Sequence, residues 1–250
     1  MLLFFATWIG AYVGRDRIRM VQRVAVGDAR RRRLQRYFSP GVGELLEEQS
    51  GGELELGQEC EVTVIFTDIR GFTAMSEGME SRDVVALLNA YHARMVEAVF
   101  RHGGTLDKYI GDGLMAYFNA PVEQPDHAER ALKCALEMEQ ELAILNTERS
   151  WSGKQQLQMG IGIHSGRAIV GDIGAPQRRE FTAIGEAVNV ASRLEQLTKS
   201  LDVDVLISSA TARLLPERLP LTQVGEHAVR GLAKPLQLLS PGKPGDGPGE

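Results

Sequence analysis

Cysteine is scarce in this sequence: 250 residues hold two, Cys60 and Cys134, each inside an apolar, periodic segment where a buried free thiol is the expected state. That excludes a disulfide scaffold and makes a reducing cytoplasm the natural setting. Long hydrophobic runs are short supply as well. Leu2 to Val13 is uncharged and largely apolar, but its twelve residues fall short of the ~20 that a membrane-spanning helix needs. Excess positive charge is also missing, since the formal net charge is −5 at pH 7. An acidic body argues against a globule that binds nucleic acid.

What is present is unevenly spread. Arg15 to Arg36 holds nine arginines against Asp16 and Asp28, so the rest of the chain is more acidic than the total suggests. Residues 1–14 read as a truncated or marginal membrane anchor, with the arginines as its cytoplasmic flank; the end of a transmembrane helix, a signal-like segment and an interfacial anchor are the forms open to it. Residues 15–52 read as a basic helix and linker, with Ile18, Val21, Val24 and Ala25 at roughly helical spacing, broken by Ser39-Pro40-Gly41. A merely solvated charged linker is the competing reading of that stretch. The chain's tail, 241–250, is dominated by proline and glycine and is expected to be disordered.

Between these ends the pattern alternates. Val62, Val64, Ile65 and Phe66 predict a strand; Val84, Leu87, Leu88, Tyr91, Met95 and Val99 follow a 3.6-residue period and predict a helix. Thr105 to Tyr109 and Leu114 to Phe118 read as a hairpin around Ile110-Gly111-Asp112-Gly113. A long helix is expected from about Asp126 to Leu145, then two strands, Leu157 to His164 and Arg167 to Ile173, turning at Ser165-Gly166. Ala187 to Thr198 reads as an amphipathic helix, Val203 to Ile207 as a strand, Thr211 to Leu215 as a short helix, and Leu219 to Leu239 as two further strands. The architecture these elements favour is α+β, a mixed and mostly antiparallel sheet with helices on one face.

Two carboxylates stand out. Asp68 ends an apolar strand and precedes Ile69-Arg70-Gly71-Phe72-Thr73, a turn whose backbone amides can face an anion. Asp112 sits between glycines at a hairpin tip, with little bulk to block a metal or phosphate. Together they suit hard cations, which prefer oxygen ligands and often accompany a triphosphate. Taken singly, each is also ordinary turn chemistry.

Four blocks, in order, give them company: Phe66-Thr67-Asp68-Ile69-Arg70-Gly71-Phe72-Thr73, Lys108-Tyr109-Ile110-Gly111-Asp112-Gly113, Gly162-Ile163-His164-Ser165-Gly166, and Ile184 through Asn189 to Arg193. Together they resemble the class III nucleotidyl cyclases, over roughly Glu59 to Leu239. The resemblance implies that 53–240 is a cyclase catalytic domain, ferredoxin-like or palm-like, that makes cyclic AMP and pyrophosphate from ATP. It implies two divalent cations, Mg²⁺ or Mn²⁺, held by Asp68, Asp112 and the backbone carbonyl of Ile69. One would lower the pKa of the ribose 3′-hydroxyl and the other neutralise the leaving phosphates. Asn189 and Arg193, four apart on one helix face, would orient the ribose and cover the pentavalent transition state. Lys108 and Thr182 would read adenine, Phe72 and Thr73 would bind the substrate, and Arg230 stands where the family commonly offers a phosphate-binding lysine. Similar guanylate cyclases carry glutamate and a cysteine or serine in place of the Lys108 and Thr182 pair, so this pair favours ATP.

The same resemblance implies a head-to-tail homodimer, the metal carboxylates coming from one copy and the base and transition-state residues from the other. In that arrangement the N-terminal helix becomes a stalk able to rotate the protomers; unchanged activity and dimer affinity after deletion of Met1 to Gln49 would argue against it. Gly160 departs from the family, which often has a basic phosphate-binding residue there. His127 and His164 are read as packed or capping side chains with no catalytic role. The competing functions are a silent cyclase-like dimerisation or nucleotide-sensing module and a guanylate cyclase; a diguanylate cyclase or polymerase palm lacks support from the Asn189 to Arg193 block. The cyclase domain is expected on the cytoplasmic side, tethered to the membrane if the N-terminal segment anchors it.

Overall fold

The computed structural model describes residues 57–241 apart from 176, 218, 231 and 233. The apolar segment, the basic helix and most of the tail lie outside the described residues, so their expectations stand as stated. Among the described residues no helix is long and apolar enough to cross a membrane.

The β-branched and aromatic run around Val62 to Thr67 forms the middle of β1 (Gln58–Ile69), longer at both ends than its apolar core suggests. Chain order continues with α1 (Phe72–Glu77), α2 (Ser81–Arg101), β2 (Thr105–Ile110), β3 (Gly113–Phe118), α3 (His127–Trp151) and β4 (Met159–Ala175). Then come β5 (Arg178–Ile184), α4 (Glu186–Leu201), β6 (Val205–Ser208), α5 (Ser209–Ala212), β7 (Leu221–His227) and β8 (Leu236–Pro241). The strands make one sheet in the order β2-β3-β1-β4-β6-β8-β7, with β5 paired to β4. Only β4 with β6 runs parallel; the other described pairs are antiparallel. The α+β class and the mixed, mostly antiparallel sheet are therefore as the sequence implies.

Alternation along β1 divides the core in two. Ile65 and Ile69 join Leu87, Tyr91 and Met95 of α2, Leu132 and Met138 of α3, and Ile161 and Ile163 of β4. Val62 and Val64 point the other way and pack with Met115, Tyr117, Phe181, Ala183 and the α4 residues Ala187 and Ala191. Helices thus cover both faces, whereas the periodicity alone suggested one. Both cysteines are free, Cys134 buried and Cys60 half-buried.

The predicted turn at Ser165-Gly166 does not form. β4 runs unbroken through it, paired to β1 from Met159 to Val170 and to β5 from Ile169 to Ala175. Ser165 instead belongs to a buried hydroxyl chain, 2.7 Å from Thr63 and 3.0 Å from Thr211. The glycines of β4 serve close packing: a Cβ at Gly162 would overlap the α4 backbone at Glu195 and Ala191. The hairpin turn falls later, between β4 and β5.

Candidate active site

β1 delivers Asp68 one residue before its end, and the β2–β3 hairpin brings Asp112 beside it. The approach depends on Gly113, where any Cβ would overlap the Thr67 carbonyl oxygen and lie 3.2 Å from Asp68 Oδ1. The Ile69 amide donates to Asp112 Oδ2 at 3.1 Å, so the Asp68-Ile69 corner and the hairpin tip are joined directly. The two carboxyl groups are close enough to share a hydrogen bond. Burial, then the Asp112 charge and that bond, raise the Asp68 pKa to about 6 against a downward pull from the Ile69 amide.

A third acid, Glu195, lies on the packed face of α4. Burial, then the charges of Asp68 and Asp112, raise its pKa to about 7, with Arg70 opposing. Arg70 is held by the Val203 carbonyl and by Asp204 at 3.2 Å. Motif reading passed over Glu195, although an acid four residues after Ala191 on an otherwise apolar helix face was a visible signal. Like carboxylates crowded at half-buried positions, with the Ile69 backbone alongside, are a donor set that suits hard divalent cations. Among the described residues no group of three or more His, Cys, Asp or Glu side chains is placed to hold a metal, so such a site rests on two carboxylates plus backbone.

The other sequence-predicted residues gather elsewhere. Lys108 on β2 reaches across to β5, its ammonium 3.2 Å from Asp107 and 3.4 Å from Glu180. Burial works against its charge, but those two carboxylates outweigh it and raise the Lys108 pKa. Thr182 on β5 donates its hydroxyl to the same Asp107, at 2.7 and 3.0 Å from its two oxygens. Lys108 and Thr182 are therefore joined through one carboxylate. None of the hydrogen bonds or ion pairs among the described residues joins Asp68 or Asp112 to Asp107, Lys108 or Thr182.

Asn189 is exposed and Arg193 half-buried on α4, off the stripe of Ala187, Val190, Ala191, Leu194 and Thr198 that packs on the sheet. Arg193 pairs with no carboxylate among the described residues. Phe72 packs partly against the main core at the start of α1, where Gly71 takes a left-handed φ of 68°; the first-turn amides of Phe72 and Thr73 lack helical acceptors. Arg230 is exposed, next to the buried Val229. Gly160 is closed to any larger residue, because a Cβ there would overlap the Thr198 hydroxyl and approach Glu195 to 3.1 Å. A basic side chain at that position has no room in this fold. His127 and His164 are packed against hydroxyls, Thr63 at 2.6 Å and Ser208 at 2.8 Å, and burial lowers the His164 pKa to about 4.

With this geometry in hand, the likeness to known proteins is extensive. The family model for the adenylate and guanylate cyclase catalytic domain matches residues 55–239. Adenylate cyclase 1 of Rhizobium meliloti is 39% identical over 178 residues, covering 71% of this chain and 27% of that protein. The adenylate cyclase of Anabaena cylindrica is 42% identical over 184 residues, covering 71% and 36%. The chain thus spans 27% and 36% of these relatives' length. Among solved structures, the adenylyl cyclase CyaB from P. aeruginosa superposes with a TM-score of 0.69 at 34% identity, over 74% of this chain and 95% of that one. The guanylyl cyclase Cya2 gives 0.67 at 33%, over 76% and 97%. The chain belongs to the class III nucleotidyl cyclase family, whose adenylate and guanylate cyclase catalytic domain it carries.

Proposed function

We propose that this chain is an adenylate cyclase, converting ATP to 3′,5′-cyclic AMP and pyrophosphate at sites shared between two copies. The observation that carries the reading is the contact of Asp68 and Asp112, two carboxylates from separate elements brought together although their charges repel. Divalent cations, Mg²⁺ or Mn²⁺, held there by Asp68, Asp112 and the Ile69 carbonyl, would supply Lewis-acid activation of the ribose 3′-hydroxyl and neutralise the phosphates.

The residues of the chain do the rest. Lys108 offers a donor to adenine N1 and Thr182 an acceptor to the N6 amino group. Asn189 orients the ribose. Arg193 spreads a permanently charged, planar guanidinium over the α-phosphate oxygens as the 3′-oxygen attacks in line and pyrophosphate departs. Arg230 and the amides of Phe72 and Thr73 hold the terminal phosphates. Since no hydrogen bond or ion pair among the described residues joins Lys108 or Thr182 to the acid pair, a two-fold dimer that lays them across the acids of the partner would complete two equivalent sites. Regulation through a rotating N-terminal stalk and tethering by residues 1–14 belong to the same proposal.

Adenylate over guanylate chemistry rests on Lys108 and Thr182, because relatives of both kinds share the fold. Product analysis after incubation with ATP and a divalent cation, over a protein dilution series, tests the reading. Cyclic AMP whose specific rate falls on dilution is expected; no cyclic nucleotide, or a rate per protein independent of dilution, contradicts it.

A further inference from the structure

β2 does not pair regularly with β3. The register slips between Leu106 and Lys108, so Asp107 is the extra residue of a bulge. In a regular strand Asp107 and Lys108 would point to opposite faces; the bulge turns both toward β5. Asp107 is the most enclosed charge there, its side chain 0% exposed against 39% for Lys108. Three donors converge on it: the Thr182 hydroxyl, the Ala183 amide at 3.0 Å and the Lys108 ammonium at 3.2 Å. Burial raises the Asp107 pKa, but every one of these donors favours the carboxylate.

An ionised carboxylate can only accept. The Thr182 hydroxyl has one hydrogen and two lone-pair directions, and its hydrogen is spent on Asp107. What Thr182 can present outward is therefore a lone pair.

We propose that Asp107 is a positioning residue for base selection: it turns the ambivalent hydroxyl of Thr182 into a committed acceptor, matched to the adenine amino group and mismatched to the guanine carbonyl. This rests on the reading of Lys108 and Thr182 as the base-reading pair. It also explains how a threonine does the work of a carboxylate at this position. A free hydroxyl would rotate to donate to guanine O6; one held by Asp107 meets that oxygen lone pair to lone pair.

Asp107→Asn loosens this hold. The Asn carbonyl keeps the Ala183 amide at the place of Oδ2 and accepts from Thr182 less strongly than a carboxylate, while its NH₂, at the place of Oδ1 3.0 Å from Thr182 Oγ1, competes as a donor and releases the hydroxyl hydrogen toward the base. The ratio of kcat/KM for ATP to that for GTP is expected to fall roughly 5- to 100-fold, through gained GTP turnover as well as lost ATP binding. The test measures that ratio in the natural chain, Thr182→Val, Asp107→Asn and the double variant. If Thr182→Val leaves the ratio unchanged, the base-reading assignment itself fails. If Thr182→Val lowers it and Asp107→Asn does not, the assignment stands and the role of Asp107 is overturned. A double variant no lower than Thr182→Val supports action through Thr182; a further fall contradicts it. Should Asp107→Asn not fold, Thr182→Asn decides: with Asp107 intact, its NH₂ is bound inward and its carbonyl faces the base. ATP preference is then expected to persist, and a collapse to the Thr182→Val ratio overturns the proposal.

Discussion

The two charged clusters of this domain are built in opposite ways. Around Asp107, one buried carboxylate is met by an amide, a hydroxyl and an ammonium, so its charge is answered where it stands. Around Asp68, burial and facing like charges are opposed among the described residues by the Ile69 amide at Asp68 and by the Arg70 charge at Glu195, and the pKa values of Asp68 and Glu195 still climb to about 6 and about 7. The first cluster has its charge met among the described residues. The second is short of positive charge, which makes it the region expected to respond to added cations and to pH.

The contrast can be broken most severely at Asp112. Asp112→Ala is expected to lower cyclase activity by a thousandfold or more, on the order of losing a major charge-stabilising group, while the melting temperature stays level or rises because a like charge has gone. Loss of fold instead of activity would show that the acid pair is structural. Next comes Lys108→Met, which leaves Asp107 with one donor fewer. ATP kcat/KM is expected to drop roughly 10- to 100-fold with little change in divalent-cation affinity, since the two clusters share no bond; competition kinetics with a titration of Mn²⁺ separates these outcomes. Gly113→Ala should cost about 1 to 3 kcal/mol in stability, because its Cβ overlaps the Thr67 carbonyl and pushes the hairpin tip away from Asp68. Denaturant unfolding would reveal it.

The smallest expected effect is pH-dependent. Glu195 has a folded pKa of about 7 against an ordinary value of 4.5, so its burial is tolerated below pH 4.5 and becomes increasingly unfavourable as pH rises to about 7. Without divalent cations, Glu195→Gln should therefore melt at a higher temperature than the natural chain at pH 8. The gap should shrink on acidification and close near pH 4. A gap that widens toward low pH would contradict the raised pKa of buried Glu195.

The sequence made much of this legible, and the exceptions are instructive. Asp68 and Asp112 announced themselves because strand ends and hairpin tips leave local signatures. α2 was readable because Leu87, Tyr91, Met95 and Val99 recur on a single buried stripe. Ser165-Gly166 misled, since glycine there answers to a helix packed on the strand and not to a turn. Asp107 was invisible as an actor because a bulge is a property of two strands in register, and no single segment encodes it. Gly160 likewise read only as a missing basic residue, because the sequence does not show that Thr198 and Glu195 of α4 pack against it.

The claim that the acid pair and the base-and-transition-state residues serve one another across two copies is tested most directly by mixing. Asp112→Ala and Arg193→Ala chains should each be nearly inactive alone. Combined in equal amounts and allowed to re-associate, half the dimers carry one intact site, and activity is expected to recover to about a quarter of the natural level. No recovery above the sum of the two separate variants would contradict a shared site.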